Sequence, residues 1–421
     1  MSAFIVEGGR PLSGTVRVHG AKNSVLPILA AAVLAQGESI IHNCPDLSDV
    51  AASIEILRHL GCRVERSGDT VTVDAAALTG CDVPDRLMRE MRSSVIFLGA
   101  ILGRTGRAVM SFPGGCELGP RPIDRHLAAI RSLGAQIEER SGVLDCTGER
   151  LVGCDIALSI PSVGATENAM LSAVAARGVT TITNAAREPE IVDLQGFLCT
   201  LGARVRGAGS SVITVEGGAR LHGGEYTVMA DRIVAATYLT AVAAAGGEVE
   251  VTGADYRHLS TVTAALAEAG CAIRSDQSRI LIASREPLRG VPPVRTAPYP
   301  GFPTDAQAPL MACLCRGTGT TVFVENIFDS RYRHVDELTR MGADIKAEGR
   351  VAVVCGVPRL HGAPVKAPDL RGGAALVVAA LGAEGRSEIT GLQHVDRGYH
   401  DLDGALRALG ADIKRVKTEK E

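Results

Sequence analysis

The sequence predicts an α/β protein built from six repeats of about 70 residues, arranged as two groups of three. Three observations support this prediction: a glycine signature that recurs six times, an alternating stretch after it, and an Ala-rich apolar segment in each repeat. Six such repeats carry too much apolar surface for one core, so a division into two domains of three repeats is expected.

The glycine signature ends an amphipathic segment in every repeat. It reads Leu or Ile, three further residues, Gly, and then Ala or Cys, and its glycines are Gly61, Gly134, Gly202, Gly270, Gly342 and Gly410. Successive glycines are separated by 73, 68, 68, 72 and 68 residues. Because glycine adopts the left-handed conformation at little cost, the signature predicts the end of a helix. The alternating residues that follow, as in CRVERSGDTVTV, predict a short hairpin.

A second helix is predicted in each repeat from a stretch rich in alanine and other apolar residues. The first copy is SVLPILAAAVLAQGESIIHN, where a glycine separates the apolar stretch from a strand. Small and evenly apolar side chains indicate a helix that is buried on most sides and packed closely against its neighbours. Each repeat is therefore predicted to run helix, strand, helix, strand, strand.

Composition excludes several classes of protein. The net charge of -3 gives no overall basic field that would attract nucleic acid or an anionic membrane. The 11 cysteines contain no C-x-x-C pair, which argues against a zinc site and indicates a reducing cytoplasm. The first residues do not resemble a signal peptide, and the longest apolar run, near 25–34, is too short to span a membrane. A cytoplasmic protein without membrane insertion is expected.

Polar residues concentrate at two positions of the repeat, each just before a predicted helix. Before the buried helix stand Lys22, Asn23, Arg92, Ser162, Asp305 and Arg371. Before the outer helix stand stretches such as GGCELGPRPID and VDRGYHD. Helix N-termini attract anions through free N–H groups and the helix dipole. If the repeats stack about an axis, Lys22, Arg92 and Arg371 would line a cleft suited to anions.

Eight long motifs stand in order along the chain. They are HGAKNSVLP (19–27), PGGCELGPRPIDRH (113–126), PSVGATENAM (161–170), NAAREPEIVD (184–193), RTAPYPGFPTDAQAP (295–309), RYRHVDELTRMGAD (331–344), DLRGGAAL (369–376) and HVDRGYHDLDGALRALGA (394–411). With these motifs the chain resembles the enolpyruvyltransferase superfamily over nearly its full length. Within this superfamily, the chain most resembles the branch that acts on UDP-N-acetylglucosamine.

The resemblance implies a two-domain inside-out α/β barrel, with three repeats per domain, helices inside and sheets outside. One domain would span residues 22–229, and the other would combine residues 1–21 with 230–421, with the active site in the cleft between the domains. The implied reaction moves the enolpyruvyl group of phosphoenolpyruvate onto the 3-hydroxyl of UDP-N-acetylglucosamine and releases phosphate, through a tetrahedral ketal. This would be the first committed step of peptidoglycan synthesis.

The same resemblance implies two small-molecule substrates and neither a cofactor nor a metal. Nucleic acid and membrane are not expected as partners. The sequence does not fix the oligomeric state, and a monomer is favoured.

The resemblance also assigns roles to individual residues. Cys116, in a glycine-rich loop, would protonate the methylene carbon of phosphoenolpyruvate, because a thiol with a pKa near ~8.5 carries a proton at neutral pH. Asp305 would receive the proton of the sugar hydroxyl. A simpler interpretation, which is compatible with this role, is that Thr304 or Asp305 serves as the N-cap of its helix.

The implied binding residues are mainly cationic for phosphoenolpyruvate, and they are charged, polar and apolar for UDP-N-acetylglucosamine. Catalysis would also involve Lys22 and Arg397. Phosphoenolpyruvate would contact Lys22, Asn23, Arg92, Arg121, Arg331, Arg371 and Arg397, and arginine suits such anions through bidentate hydrogen bonds. UDP-N-acetylglucosamine would contact Asn23, Arg92, Arg121, Pro122, Ile123, Asp124, Arg125, Ser162, Val163, Gly164, Asp305 and Ile327.

Two other functions stay open at this point. A 5-enolpyruvylshikimate-3-phosphate synthase shares the fold and the chemistry, but the Cys116 loop and the SVGATEN string favour the nucleotide-sugar branch. A non-catalytic repeat scaffold would explain six repeats. It would not explain cations confined to two positions of the repeat.

Overall fold

The computed structural model of the chain describes residues 2–91, 93–112, 123–285 and 287–417. These residues form two compact units. The split unit contains residues 2–19 and 230–417, and the continuous unit contains the described residues between 20 and 229. No helix in the described ranges combines the length and the apolar character needed to cross a lipid bilayer.

The chain begins with two strands of the split unit, β1 (Ser2–Glu7) and β2 (Leu12–Arg17). The elements of the continuous unit follow in the order α1 (Lys22–Ala32), β3 (Glu38–His42), α2 (Ser48–His59), β4 (Arg63–Ser67), β5 (Thr70–Asp74), β6 (Asp82–Val83), α3 (Asp85–Glu90), a 3-10 helix (Ser94–Ile96), α4 (Phe97–Thr105), β7 (Arg107–Ser111), α5 (Asp124–Ser132), β8 (Gln136–Arg140), β9 (Val143–Thr147), β10 (Asp155–Ala157), α6 (Val163–Ala175), β11 (Gly178–Thr183), α7 (Pro189–Thr200), β12 (Arg204–Arg206), β13 (Val212–Gly217) and β14 (Glu225–Thr227).

The split unit resumes after residue 229. Its elements are α8 (Arg232–Ala245), β15 (Gly247–Thr252), a 3-10 helix (Tyr256–Leu259), α9 (Ser260–Glu268), β16 (Ala272–Asp276), β17 (Arg279–Ser284), β18 (Val294–Arg295), α10 (Thr304–Leu314), β19 (Thr320–Val324), α11 (Val335–Arg340), β20 (Asp344–Glu348), β21 (Val351–Cys355), β22 (Pro364–Lys366), α12 (Leu370–Gly382), β23 (Arg386–Thr390), α13 (Leu392–Val395), α14 (Leu402–Ala408) and β24 (Asp412–Lys417).

Each repeat contributes to a four-stranded sheet, and the described strands form six such sheets. In the continuous unit the strand orders are β14-β3-β5-β4, β6-β7-β9-β8 and β10-β11-β13-β12. The first strand of each order is a parallel edge strand that comes from the repeat before. Since β14 of the third repeat pairs with β3 of the first, the three repeats are linked in a closed cycle. The sequence missed these edge strands, because two or three residues are too few for an alternating pattern.

The sheets of the split unit need the beginning of the chain. Their orders are β16-β17-β15-β2, β18-β19-β21-β20 and β22-β23-β1-β24. The sixth repeat supplies one strand after its glycine signature, β24, and β1 lies antiparallel between β23 and β24. β2 is the parallel edge strand beside β15. Residues 2–19 thus complete two sheets, which explains why they group with residues 230–417.

The Ala-rich helices are buried, as their composition predicted. Every residue of α8 is buried, and α8, α10 and α12 contact one another as well as the sheets of their unit. In the continuous unit, a Cβ atom at Gly99 of α4 would lie 2.6 Å from the backbone oxygen of Asn168 on α6. The helices therefore approach closely only because their side chains are small. This is the inside-out arrangement, with helices inside and sheets outside.

The signature glycines also behave as predicted. The φ angles of all six lie between 92° and 111°, in the left-handed region, just after the outer helices end. A β-carbon is strained in this conformation, so the recurrence of glycine has a local backbone cause.

Candidate active site

In the split unit, Asp305 lies between two arginines at the start of α10. Arg331 Nη2 donates a hydrogen bond to Asp305 Oδ1 at 2.7 Å, and Arg371 Nη2 donates to Oδ2 at 3.1 Å. The side chain of each arginine is 2% exposed, whereas that of Asp305 is 27% exposed. The structure thus brings together three of the predicted site residues.

The two guanidinium groups keep the carboxyl group of Asp305 ionised. Burial acts to raise its pKa, but the charges and hydrogen bonds of Arg371 and Arg331 outweigh burial and hold the pKa well below its usual value. A carboxylate held in this way is a weak base. It becomes a stronger base only if another anion takes up the arginines.

Asp305 does not cap its own helix. The N-cap residue of α10 is Pro303, and among the described residues no side chain caps this helix. The alternative interpretation of Thr304 or Asp305 as an N-cap is therefore wrong. By contrast, the other two buried helices of this unit begin with capping aspartates, Asp231 on α8 and Asp369 on α12. The Asp305 carboxylate thus accepts from Arg331 and Arg371, whereas each of the two capping aspartates accepts from backbone N–H groups of its own helix.

Arg371 is also fixed by Tyr399 and Thr237, which had no predicted role, and by Asp369, for which the resemblance implies support of the region around Lys22. Its Cζ atom lies 5.4 Å from the centroid of the Tyr399 ring, and the Tyr399 hydroxyl lies 2.9 Å from that of Thr237. Its backbone N–H donates to Asp369 Oδ1 at 3.0 Å. The sequence could have predicted that Asp369 caps α12, because an aspartate directly before an apolar helical stretch is typical of an N-cap.

In the continuous unit, Lys22 is the first residue of α1, and it pairs with a carboxylate. Its Nζ lies 2.8 Å from Oδ2 of Asp49 on α2, and the two side chains are 11% and 1% exposed. Ser24 donates its hydroxyl to Asp193 of α7, whose other oxygen accepts from the hydroxyl of Tyr226 at 2.8 Å. Burial raises the pKa of Asp193, although these hydrogen bonds lower it. The start of α1 is therefore held by both α2 and α7.

The predicted nucleotide-binding residues of α5 and α6 lie side by side. Ser162 caps α6, and its hydroxyl accepts from the backbone N–H of Ala165 at 3.5 Å. A Cβ atom on Gly164 would lie 2.6 Å from Cε1 of His126, so α5 approaches the start of α6 because residue 164 has no side chain. Burial lowers the pKa of His126 to about 4, and its Nδ1 accepts from the amide of Asn168 at 2.8 Å. This imidazole is neutral at physiological pH.

The remaining predicted residues divide between described and undescribed parts of the chain. Cys116, Arg92, Arg121 and Pro122 lie outside the described residues. In the continuous unit, Ile123 is buried, while Asp124 and Arg125 begin α5, Val163 begins α6, and Asn23 is exposed on α1. In the split unit, Arg397 is half-buried after α13, and Ile327 is exposed in the loop after β19. Within the described ranges, no three His, Cys, Asp or Glu side chains converge as metal ligands.

Comparison with known proteins identifies the family. A family profile described as EPSP synthase (3-phosphoshikimate 1-carboxyvinyltransferase) matches residues 6–419. The chain belongs to this family. Among solved structures, the enolpyruvyl transferase NikO from Streptomyces tendae matches with a TM-score of 0.90 and 28% identity over 99% of both chains. An EPSP synthase from Acinetobacter baumannii matches with a TM-score of 0.77 and 20% identity, over 99% of this chain and 100% of that one, which shows the likeness of fold alone.

Two curated relatives are considerably more similar in sequence. UDP-N-acetylglucosamine 1-carboxyvinyltransferase 2 of Caldanaerobacter subterraneus subsp. tengcongensis is 51% identical over 416 residues, which cover 99% of this chain and 100% of the relative. UDP-N-acetylglucosamine 1-carboxyvinyltransferase 1 of Symbiobacterium thermophilum is 52% identical over 419 residues, which cover 98% of this chain and 95% of the relative. The similarity thus extends through both units.

Proposed function

We propose that this protein transfers the enolpyruvyl group of phosphoenolpyruvate to the 3-hydroxyl of UDP-N-acetylglucosamine and releases inorganic phosphate. The observation that supports this most strongly is identity of 51% and 52%, over nearly the whole chain, to relatives that carry the name of this reaction. In this role the protein catalyses the first committed step of peptidoglycan synthesis, in the cytoplasm and without a cofactor. Its proposed domains are residues 22–229 and residues 1–21 with 230–421, and the two compact units support these bounds.

The buried arginines of the split unit support the binding of an anionic substrate. Among the described residues, Arg331 Nε and Arg371 Nε and Nη1 are buried and have no hydrogen-bond partner. A buried donor that lacks an acceptor costs ~1–3 kcal/mol. The carboxylate or the phosphate of phosphoenolpyruvate would supply these acceptors. Lys22, Arg397, Arg92 and Arg121 are proposed to neutralise the rest of the substrate charge.

Anion binding would also strengthen Asp305 as a base. Without substrate, the two arginines hold its pKa down. An anion that shares these arginines weakens their hold, and the pKa of the carboxyl group rises. Asp305 then accepts the proton of the sugar 3-hydroxyl while the oxygen bonds to the substituted carbon of phosphoenolpyruvate. Cys116 gives its proton to the methylene carbon, and the product of this addition is the tetrahedral ketal.

Elimination completes the reaction. The methyl group of the ketal returns a proton to the Cys116 thiolate, the carbon–carbon double bond forms again, and the carbon–oxygen bond to phosphate breaks. The proton that Asp305 received passes to the departing phosphate. Inorganic phosphate leaves, and the enolpyruvyl ether stays on the sugar. The chain needs only acids, bases and anion-binding groups for these steps.

A direct assay tests the proposed function. The purified protein is mixed with phosphoenolpyruvate and either UDP-N-acetylglucosamine or shikimate 3-phosphate, and released phosphate is measured. We expect release with the nucleotide sugar, together with an enolpyruvyl ether detected by mass spectrometry. Release with shikimate 3-phosphate alone would favour the second candidate function, which the description of the matching family profile carries. Release with neither acceptor would contradict both.

The proposed role of Cys116 has its own test. Cys116→Ala should abolish turnover and leave binding of the nucleotide sugar, measured calorimetrically, nearly unchanged. Loss of binding as well would assign the thiol a structural role. Fosfomycin, a small phosphonate epoxide, should alkylate Cys116 and none of the other ten cysteines. A label that mass spectrometry places on another cysteine would show that the loop assignment is wrong.

A further inference from the structure

Glu325 is a buried carboxyl group that lies directly after β19 in the split unit. It is 1% exposed and belongs to none of the eight motifs. Its two oxygens accept three hydrogen bonds from two different segments of the chain. A buried carboxyl group with this many partners fixes the geometry of whatever it joins.

One oxygen of Glu325 holds the start of α10. Its Oε2 accepts the hydroxyl of Thr304 at 2.9 Å. Thr304 is the first residue of α10 and immediately precedes Asp305. Because none of the described side chains caps this helix, the contact with Glu325 replaces a cap in fixing its first turn.

The other oxygen holds the loop that follows. Its Oε1 accepts from the backbone N–H groups of Ile327 at 2.8 Å and Phe328 at 3.0 Å. Ile327 and Asp305 are the two residues of this unit that are predicted to contact UDP-N-acetylglucosamine. The ring of Phe328 lies beside Arg331, with 5.4 Å between its centroid and the guanidinium carbon.

These contacts form a closed circuit around Asp305. Arg331 binds both the backbone oxygen of Thr304, at 3.0 Å, and the carboxylate of Asp305, at 2.7 Å. The circuit therefore runs from Glu325 through Thr304 to Asp305 and Arg331, and returns through Phe328. A shift of Glu325 moves the proposed base, one of its arginines and the sugar-contacting loop together.

We propose that Glu325 is a positioning residue for the transfer reaction, which holds Asp305, Arg331 and Ile327 in their working arrangement. This inference rests on the proposed function. Glu325 touches no reacting atom in this proposal and acts through Thr304 and the 326–328 loop. Displacing a catalytic group by about 1 Å can cost on the order of 10²-fold in rate.

The test compares variants that keep or remove single hydrogen bonds. Thr304→Val removes the hydroxyl with little change of shape, and Thr304→Ser restores it. Glu325→Ala removes all three hydrogen bonds. We expect kcat to fall at least about tenfold in Thr304→Val and Glu325→Ala, and to stay within about twofold in Thr304→Ser. The KM for UDP-N-acetylglucosamine should rise in Glu325→Ala and stay near the wild-type value in Thr304→Val, because only the first variant frees the Ile327 loop.

A control variant and a double variant separate positioning from general loss of stability. Asp329→Ala removes a carboxyl group in the same loop that is 61% exposed and pairs with Arg350, and it should keep wild-type kinetics. In the double variant Glu325→Ala/Thr304→Val, kcat should be no lower than in Glu325→Ala, because both substitutions break one shared hydrogen bond. Circular dichroism and thermal melting identify the temperature at which every variant is folded, and the kinetics are measured below it.

Each outcome decides the matter. Folded Thr304→Val and Glu325→Ala proteins with wild-type kcat and KM would overturn the inference, even if their melting temperatures were lower. Fully additive losses in the double variant would overturn it as well. An inactive wild-type protein would instead contradict the proposed function, so the two failures are distinguishable.

Discussion

The two units begin their site helices with ion pairs of opposite polarity. At the start of α10, the carboxylate of Asp305 lies between the cations of Arg331 and Arg371. At the start of α1, the cation of Lys22 lies 2.8 Å from the carboxylate of Asp49. The same position of the repeat, the start of the buried helix, thus holds a carboxylate between cations in one unit and a cation beside a carboxylate in the other. The partners of a helix start, and not its place in the repeat, decide its chemistry.

Buried carboxyl groups show the same dependence on partners. Two arginines lower the pKa of Asp305. Burial and the charges of Glu190 and Glu188 raise the pKa of Glu167, on α6 of the continuous unit, to about 8. One acid is thus kept ionised, and the other is kept protonated near neutral pH.

The largest expected effect comes from neutralising Asp305. Asp305→Asn keeps the shape of the side chain but removes the base, and kcat should fall by ~10²–10⁴-fold in the phosphate-release assay. The matched comparison is Asp231→Asn on α8, where asparagine caps a helix as well as aspartate does. The loss in Asp231→Asn should be far smaller. Equal losses in the two variants would mean that Asp305 has no special role among these aspartates.

A smaller effect is expected from the cation of the continuous unit. Lys22→Ala removes one charge-assisted hydrogen bond to the substrate, each of which contributes ~1.5–3 kcal/mol, so kcat/KM for phosphoenolpyruvate should fall by ~10–100-fold. Asp49→Asn keeps the cation and only loosens it, and its effect should be several times smaller. A loss in Asp49→Asn as large as in Lys22→Ala would mean that the site needs the Lys22–Asp49 ion pair and not only the positive charge of Lys22.

Local rules predicted much of the fold and only part of the site. The glycine signature was readable because each glycine needs a left-handed φ, which is a property of one residue. The placement of β1 between β23 and β24 joins residues from opposite ends of the chain, and no local pattern contains it. Likewise, the motifs predicted that Arg331 and Arg371 bind an anionic substrate. That both arginines converge on Asp305 depends on tertiary packing, which no motif contains.

The anchoring carboxyl groups were missed for a different reason. Asp49 and Glu325 stand in no recognised motif, whereas Asp193 ends the motif NAAREPEIVD but had no predicted role, and acidic residues are common on protein surfaces. One signal was available for Asp49, because it stands between Leu47 and Val50 on the buried face of a predicted helix. An ionisable side chain on the buried face of a helix requires a polar or charged partner, so its presence predicts that such a partner lies nearby in the fold.

The close approach of α5 and α6 can be tested with one methyl group. Gly164→Ala would place a Cβ atom 2.6 Å from the His126 ring, and either the ring or α5 must move. We expect a loss of ~1–3 kcal/mol in stability, measured by urea unfolding, because overpacking costs this much. The KM for UDP-N-acetylglucosamine should rise and that for phosphoenolpyruvate should change little. A rise of similar size for both substrates would contradict the assignment of this region to the nucleotide.

The last prediction concerns stability alone, through the pH dependence that Glu167 confers. Its pKa in the folded protein is about 8, against 4.5 for the ordinary side chain, so between these values the folded state holds a proton that the unfolded state has released. Stability from this group is therefore present below about pH 4.5 and is lost as pH rises toward 8, with a slope of at most ~1.4 kcal/mol per pH unit. Glu167→Gln is neutral at every pH, so its melting temperature should fall less between pH 5.5 and pH 8 than that of the wild type. Glu138→Gln, an exposed position of the same unit, should behave like the wild type, and a wild-type slope in Glu167→Gln would show that another group carries the pH dependence.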